Sequence, residues 1–236
     1  MQERDVARAY MFHSVVETPE QVYSKFAITK ESFERFIQYE LSHGQMPMDA
    51  ETLKKAVDNP DAYKNHFVVT FDDIYDSVYT NAYPILRESD VSFILFVTPS
   101  LIGTIDSSSK CPMITKEHLR EMAKDPLCII GAHGMNHVAF RTLTEEQARE
   151  SMIESKQWLE QMFGKPVEFF AFPFGRRVEV SNANIRTLSQ CGFHCGFSAL
   201  DGSLKQKWLS GRWFLPRILV DETFVKRSLK DAKATV

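Results

Sequence analysis

The sequence predicts an α/β protein built on a parallel sheet covered by helices, and two observations carry that reading. Short apolar, β-branched runs alternate with segments whose apolar residues recur at helical spacing. Three polar clusters also follow such runs directly, and the end of a parallel strand is where α/β folds place their sites. About seven strands are expected, starting at Val6, His66, Val91, Leu127, Val167, Gly196 and Trp213. An open doubly wound sheet and a closed or partly closed barrel both fit the pattern.

Taken in order, Val6 to Val15 reads as a first strand ending at His13. Lys30 to Leu41 carries Phe33, Phe36 and Ile37 on one helical face, with Thr29 as its N-cap. A short helix follows from Asp49 to Ala56, and Asn59-Pro60-Asp61 marks a turn. His66 to Thr70 is a strand, Asp76 to Arg87 a helix, and Val91 to Thr98 a nearly continuous apolar strand. Thr115 to Met122 is a helix and Leu127 to Ile130 a strand. Thr144 and Gln147 have the spacing of a capping box that opens a helix to about Met162. Val167 to Phe172 is a strand, Asn182 to Ser189 a helix, and Gly196 to Ala199 a short strand. Trp213 to Val220 and Glu222 to Leu229 form the last strand and helix. No repeat, low-complexity tract or interdomain linker divides residues 1–236, so one domain is expected.

Composition removes several classes. With 44% hydrophobic residues the chain is not disordered, and a net charge of −3 does not suit a polyanion binder driven by bulk charge. No nucleotide-binding glycine loop, nucleophile elbow or basic aromatic patch is present, so nucleic acid is not an expected partner. The longest apolar run, Val91 to Val97, is far too short to cross a membrane. The polar start, Met1 to Asp5, is followed by no apolar leader, which predicts the cytoplasm. Of the four cysteines, Cys128 reads as core. Cys191, His194 and Cys195 lack the second ligand pair of a zinc knuckle and are expected to be ordinary core residues.

The first polar cluster is Val68 to Ile74, where a buried strand runs into Asp72 and Asp73. Neighbours on a strand point oppositely, so one carboxylate can meet a metal while the other faces water; capping of the next helix is the plainer role. The second cluster, Gly131 to His137, holds His133 and His137 four residues apart, which one helical turn would bring to the same side. With a carboxylate they would make a facial set suited to zinc or another divalent transition metal. The third, Phe169 to Gly175, ends in Pro173-Phe174-Gly175, a turn able to aim the Phe174 N–H into a cleft. Arg176 and Arg177 follow it, placed to contact an acidic substrate group or simply solvated. Arg217, among apolar neighbours, needs an acidic partner if it is buried.

In this order the clusters resemble the motifs of the polysaccharide deacetylase family, also called the NodB-homology domain or carbohydrate esterase family 4. Thr70-Phe-Asp-Asp73 looks like its first motif, His133-Gly-Met-Asn-His137 its second and Phe172-Pro-Phe-Gly175 its third, with Gly134 and Phe174 where relatives commonly carry Ser or Thr and Tyr. Phe12-His-Ser-Val15 and the helix after Thr29 are similar to one branch of the family. The resemblance covers about residues 8–228 and implies a distorted (β/α)7 barrel. It implies a divalent metal, usually zinc, held by Asp73, His133 and His137, with Asp72 as catalytic base and the Phe174 N–H at the oxyanion. Two departures stand out: Ala171 occupies the place of a usual motif arginine, and Leu215 to Leu219 carries no histidine to act as general acid. Arg217 is expected to replace the arginine and orient Asp72. The general acid is left unassigned, with His13, His194, a metal-bound water and Asp72 after it gains the proton as candidates.

The reaction so implied is hydrolysis of an N-acetyl group on an amino sugar. The expected substrate is an acetylated amino sugar in a polysaccharide or in a lipid-linked, nucleotide-linked or oligosaccharide precursor. A hydrolase of small non-sugar amides and a non-catalytic carbohydrate-binding scaffold on the same fold are the alternatives.

Overall fold

Side-chain alternation along β5 (His66–Asp72) sets the plan of the molecule. Phe67, Val69 and Phe71 join the larger apolar cluster under the helices, whereas Val68 joins a smaller one. The smaller cluster is filled by Ala7 and Ala9, Ile94 and Phe96, Phe169 and Ala171, and Cys195 and Phe197. These are alternate residues of successive strands, as the interior of a barrel requires. Thr70 and Asp72 share the parity of Val68 and so point inward. The structure, a computed structural model, describes residues 6–206 and 208–233; residues 1–5, on which the cytoplasmic expectation rests, and the last residues of the expected 1–236 domain lie outside them.

The strands of the main sheet, besides β5, are β1 (Arg8–Phe12), β6 (Phe93–Val97), β7 (Cys128–Ala132), β8 (Phe169–Ala171), β9 (Cys195–Phe197) and β10 (Ile218–Leu219). Their order is β10-β1-β5-β6-β7-β8-β9, all parallel, with a short β4 (Met46–Pro47) on the start of β5. A parallel bridge from Phe197 to Leu215, just ahead of β10, brings the two ends of the path together. The sheet therefore curls into a distorted seven-stranded barrel, which settles the choice that periodicity left open. β2 (Ser14–Val16) and β3 (Ala27–Thr29) pair separately beside its mouth.

The helices are α1 (Lys30–Ser42), α2 (Ala50–Asp58), α3 (Tyr83–Glu88), α4 (Lys116–Met122), α5 (Glu145–Phe163), α6 (Asn182–Leu188) and α7 (Glu222–Lys233). Leu53, Ala56 and Val57 of α2 belong to the interior cluster, so α2 closes the end where the strands begin and leaves the other end for a site. Two expectations need correction. Residues 76–87 do not form one α-helix: Val78–Ala82 is a π-turn leading into α3, and Pro84, which has no N–H to donate, breaks the regular ladder there. The last strand shortens to Ile218–Leu219, because Pro216 cannot donate and Arg217 donates its N–H to Leu200 instead. Among the described residues, no helix is long and apolar enough to cross a membrane.

Candidate active site

All three polar clusters emerge at the open end of the barrel, and each leaves its strand through unusual backbone. Asp73 and Ile74 have φ of 65° and 61°, His137 has 48° and Phe174 has 60°. A β-branched residue such as Ile74 rarely tolerates this region, and such strain gathers at functional sites. Gly175, at φ 61°, is required for a second reason: a Cβ there would lie 2.5 Å from the Ala199 nitrogen. The expected helical turn between His133 and His137 does not form. The segment is a loop, with Gly134 at φ 72°, yet it still brings the two imidazole centroids within 5.3 Å.

Asp73, His133 and His137 come together as expected, with one donor atom from each lying within 4.8 Å of the others. Asp73 Oδ1 is 2.8 Å from His137 Nε2 and 3.5 Å from His133 Nε2, and it is buried without a hydrogen-bond partner. His133 lies 2.8 Å through Nδ1 from the Ala171 carbonyl, which can only accept, so Nδ1 carries the proton. Its Nε2 then presents a lone pair toward a carboxylate oxygen if the ring is neutral. Two acceptors facing each other in a buried place call for a cation between them. The three residues thus fit a divalent metal: two imidazoles and one carboxylate leave open positions, and the Ala171 carbonyl fixes one ligand's tautomer from behind. Burial alone would raise the Asp73 carboxyl, but the imidazoles outweigh it and hold the group well below the usual carboxylate range. Burial would lower His137, and Asp73 instead raises it.

Asp72 takes the opposite direction from Asp73, into the barrel. Arg217 meets it with two 2.6 Å hydrogen bonds, Nη1 to Oδ1 and Nη2 to Oδ2. The guanidinium also donates to the Ser198 carbonyl and to the Thr70 hydroxyl, at 2.8 and 3.1 Å, and lies 5.3 Å from the Phe96 ring. Burial pushes the Asp72 carboxyl up, but Arg217 foremost, then His133 and His13, hold it below the ordinary range. Ala171 belongs to the same interior cluster as Phe96 and Phe197, the two rings that the Arg217 guanidinium lies over.

Phe174 exposes 48% of its surface, with its ring 4.7 Å from that of His137, and its N–H donates to no protein group among the described residues. His13 follows β1 at the same open end. Its Nδ1 is buried without a partner, and its ring lies 4.6 Å from the half-exposed Phe26. Burial lowers the His13 imidazole, while Asp72 and Asp73 pull the other way, so His13 is in electrostatic reach of both. His194 is elsewhere. It precedes β9, donates its N–H to Glu168 and lies 3.9 Å from Asp58, at the closed end. Cys191 donates to the Thr187 carbonyl and Cys195 is buried, and the Asp73 group is the only set of three metal-binding side chains brought together among the described residues. Thr70, Phe26 and the Ala171 carbonyl were missed by sequence reasoning. Only Thr70 left a signal, its shared parity with Asp72.

Residues 59–196, more than half of the chain, match the sequence profile of the polysaccharide deacetylases. The chain belongs to the polysaccharide deacetylase family. The matched span holds Asp72, Asp73, His133, His137 and Phe174, while His13 and Arg217 fall outside it. Among curated relatives of this family of carbohydrate N-deacetylases, Bacillus subtilis YxkH is 24% identical over 213 residues, 89% of this chain and 70% of that protein. The Staphylococcus aureus poly-beta-1,6-N-acetyl-D-glucosamine N-deacetylase is 22% identical over 213 residues, covering 87% and 71%. Two solved structures share the fold: IcaB from Ammonifex degensii, with TM-score 0.81, 21% identity and 97% of both chains covered, and the Streptococcus pyogenes deacetylase PplD in complex with acetate, with TM-score 0.80, 21% identity and 96% and 97% covered.

Proposed function

We propose that this chain hydrolyses the N-acetyl group of amino sugars within a glycan, with polymeric N-acetylglucosamine or its oligosaccharide precursor as the substrate class. The observation that carries the reading is the pairing of two carboxylates from one strand end with separate tasks: Asp73 faces two imidazoles, and Asp72 is clamped by Arg217 beside them. Asp73, His133 and His137 would hold the divalent ion, for which zinc suits the donor set. Such an ion, when bound, supplies Lewis acidity toward an amide carbonyl and lowers the pKa of water.

The remaining roles fall to the chain itself. Asp72 accepts the proton of the attacking water, kept ionised and aimed by Arg217. The Phe174 N–H is free to donate to the oxygen that gains charge as the carbonyl is attacked. The C–N bond breaks only as the nitrogen gains a proton, since an amide anion is too basic to leave. His13, at the same mouth with an unpaired ring nitrogen, is the group proposed to deliver it in place of the absent motif histidine: burial favours the neutral ring, so it takes up the proton that Asp72 gained from the water and passes it on. The rings of Phe26 and Phe174, each tilted against a site imidazole and partly exposed, supply apolar walls for a pyranose face.

The test is acetate release from a β-1,6-linked N-acetylglucosamine pentamer, run against a panel of small acetamides and formamides. Acetate from the pentamer alone is expected, and turnover confined to small amides would overturn the sugar assignment. Asp72→Asn should cut kcat by about 10²–10⁴-fold with metal content unchanged. Metal lost from that variant would make Asp72 a ligand instead, and zinc bound stoichiometrically by the wild type without turnover would point to a binding scaffold.

A further inference from the structure

A groove of about 960 Å³ has a charge that runs against that of the chain. Arg141, Arg177 and Arg186 line it together with Asn182 and Trp213, and no Asp or Glu contributes to its walls. The protein as a whole carries −3. Nor do these three guanidinium groups find a carboxylate elsewhere among the described residues, whereas the neighbouring Arg176 is neutralised by Glu179. Three uncompensated cations in one concavity repel each other, an arrangement that favours an anionic visitor.

The groove is also built rather than incidental. Arg141 staples the exit of the third motif through its own N–H to the Glu179 carbonyl at 2.7 Å, its Nε to the Val178 carbonyl at 2.8 Å and its Nη2 to the Arg177 carbonyl at 2.9 Å. Arg177 is braced over the Phe214 ring, 4.7 Å from its centroid. Arg141 lies four residues after His137, and Arg177 three after Phe174. Even fully extended, those links span at most roughly 14 Å and 11 Å. The loops that carry the metal ligand and the oxyanion donor therefore also carry two of the three cations, Arg141 and Arg177, within a few sugar rings of the reacting acetamide, and Arg186 of α6 lines the same groove.

We infer that this groove is an anion-recognising subsite for the glycan: it holds a carboxylate or phosphate group on a sugar near the residue being deacetylated, with Trp213 offering a face for the sugar ring. Arginine suits this, since its planar fork meets carboxylate and phosphate oxygens bidentately. The inference rests on the deacetylase reading for the sugar backbone of the ligand, but binding can be measured apart from turnover.

Calorimetry on the full chain would compare three hexasaccharides: neutral β-linked N-acetylglucosamine, the same chain bearing one phosphate monoester, and one alternating N-acetylglucosamine with glucuronate. At least one charged chain should bind ten or more times tighter than the neutral one, and the tighter of the two identifies the anion. In Arg186→Gln, whose side chain is exposed and makes no hydrogen bond or ion pair among the described residues, that ratio should fall at least threefold, and in Arg177→Gln/Arg186→Gln to near one. Raising KCl from 50 to 500 mM should erase the preference in the wild type. Equal affinity for all three chains, or a preference that survives in both variants, overturns the subsite. Arg-dependent anion preference without acetate release from any chain would leave the subsite standing and bring down the deacetylase reading alone.

Discussion

At the scale of single residues, the Asp72–Arg217 pair carries the sharpest consequence. Arg217 is 1% exposed and Asp72 3%, so neither charge can turn to water if its partner is removed. Cutting one member of a buried pair costs about 3–5 kcal/mol, while replacing both by neutral groups costs much less. Arg217→Met should therefore lower stability by about that amount in urea unfolding, and Asp72→Asn/Arg217→Met should recover a substantial part of it. A double variant no more stable than the single one would mean that the arginine acts through its packing on Phe96 and Phe197 rather than through charge. Arg217→Met should also depress kcat with KM nearly unchanged, since Asp72 loses its fixed orientation. An unchanged rate with normal metal content would reject the positioning role. The inward path of Asp72 was legible in the sequence, because strand parity carries Val68 and Thr70 to the same side. The partner of the His133 Nδ1 was not legible, since a backbone carbonyl leaves no side-chain signature.

Among the secondary-structure elements, the helix starts were the most readable part. Thr29 and Thr144 each accept the expected hydrogen bond from the third residue onward, and Asp49 and Thr115, expected only as helix starts, do the same, because a cap is a local competition settled within one turn. What the sequence did not disclose is how elements lock to one another. Glu222, in the first turn of α7, accepts from the Thr29 N–H and hydroxyl and from the Ser32 hydroxyl, each at 2.8 Å, so one carboxylate secures the starts of both α7 and α1. Burial raises that carboxyl, and the hydrogen bonds from Thr29 and Ser32 lower it further than burial lifts it, leaving it below its ordinary value. A depressed folded value means the stabilisation is complete above the unfolded carboxyl's pKa, about 4.3, and fades as pH falls through the folded value. Glu222→Gln should thus be less stable than the wild type at pH 7, by about 1–2 kcal/mol given the partial exposure of the group. The deficit should shrink in thermal melts taken below pH 4. A pH-independent gap would assign the loss to shape rather than charge.

For the whole molecule, barrel closure was beyond the reach of periodicity. Whether a run of parallel strands closes depends on where its two edges meet, and here that junction is a single bridge between Phe197 and Leu215 in segments too short to show alternation. The site inherits the same long-range logic, since Asp73 follows β5 while His133 and His137 follow β7, two strands away across β6. A ligand bound only by the closed arrangement stabilises the fold by mass action. Chelator-treated protein should therefore melt at a lower temperature than zinc-loaded protein, and once zinc exceeds its dissociation constant each further tenfold should add about 1.4 kcal/mol. Asp73→Asn and His137→Gln should flatten that dependence, whereas Asp72→Asn should keep it, since Asp72 faces Arg217 rather than the imidazoles. The melting series separates metal holding from catalysis without any substrate. A zinc response that is absent in the wild type, or undiminished in Asp73→Asn, would mean that these three side chains meet for some purpose other than holding an ion.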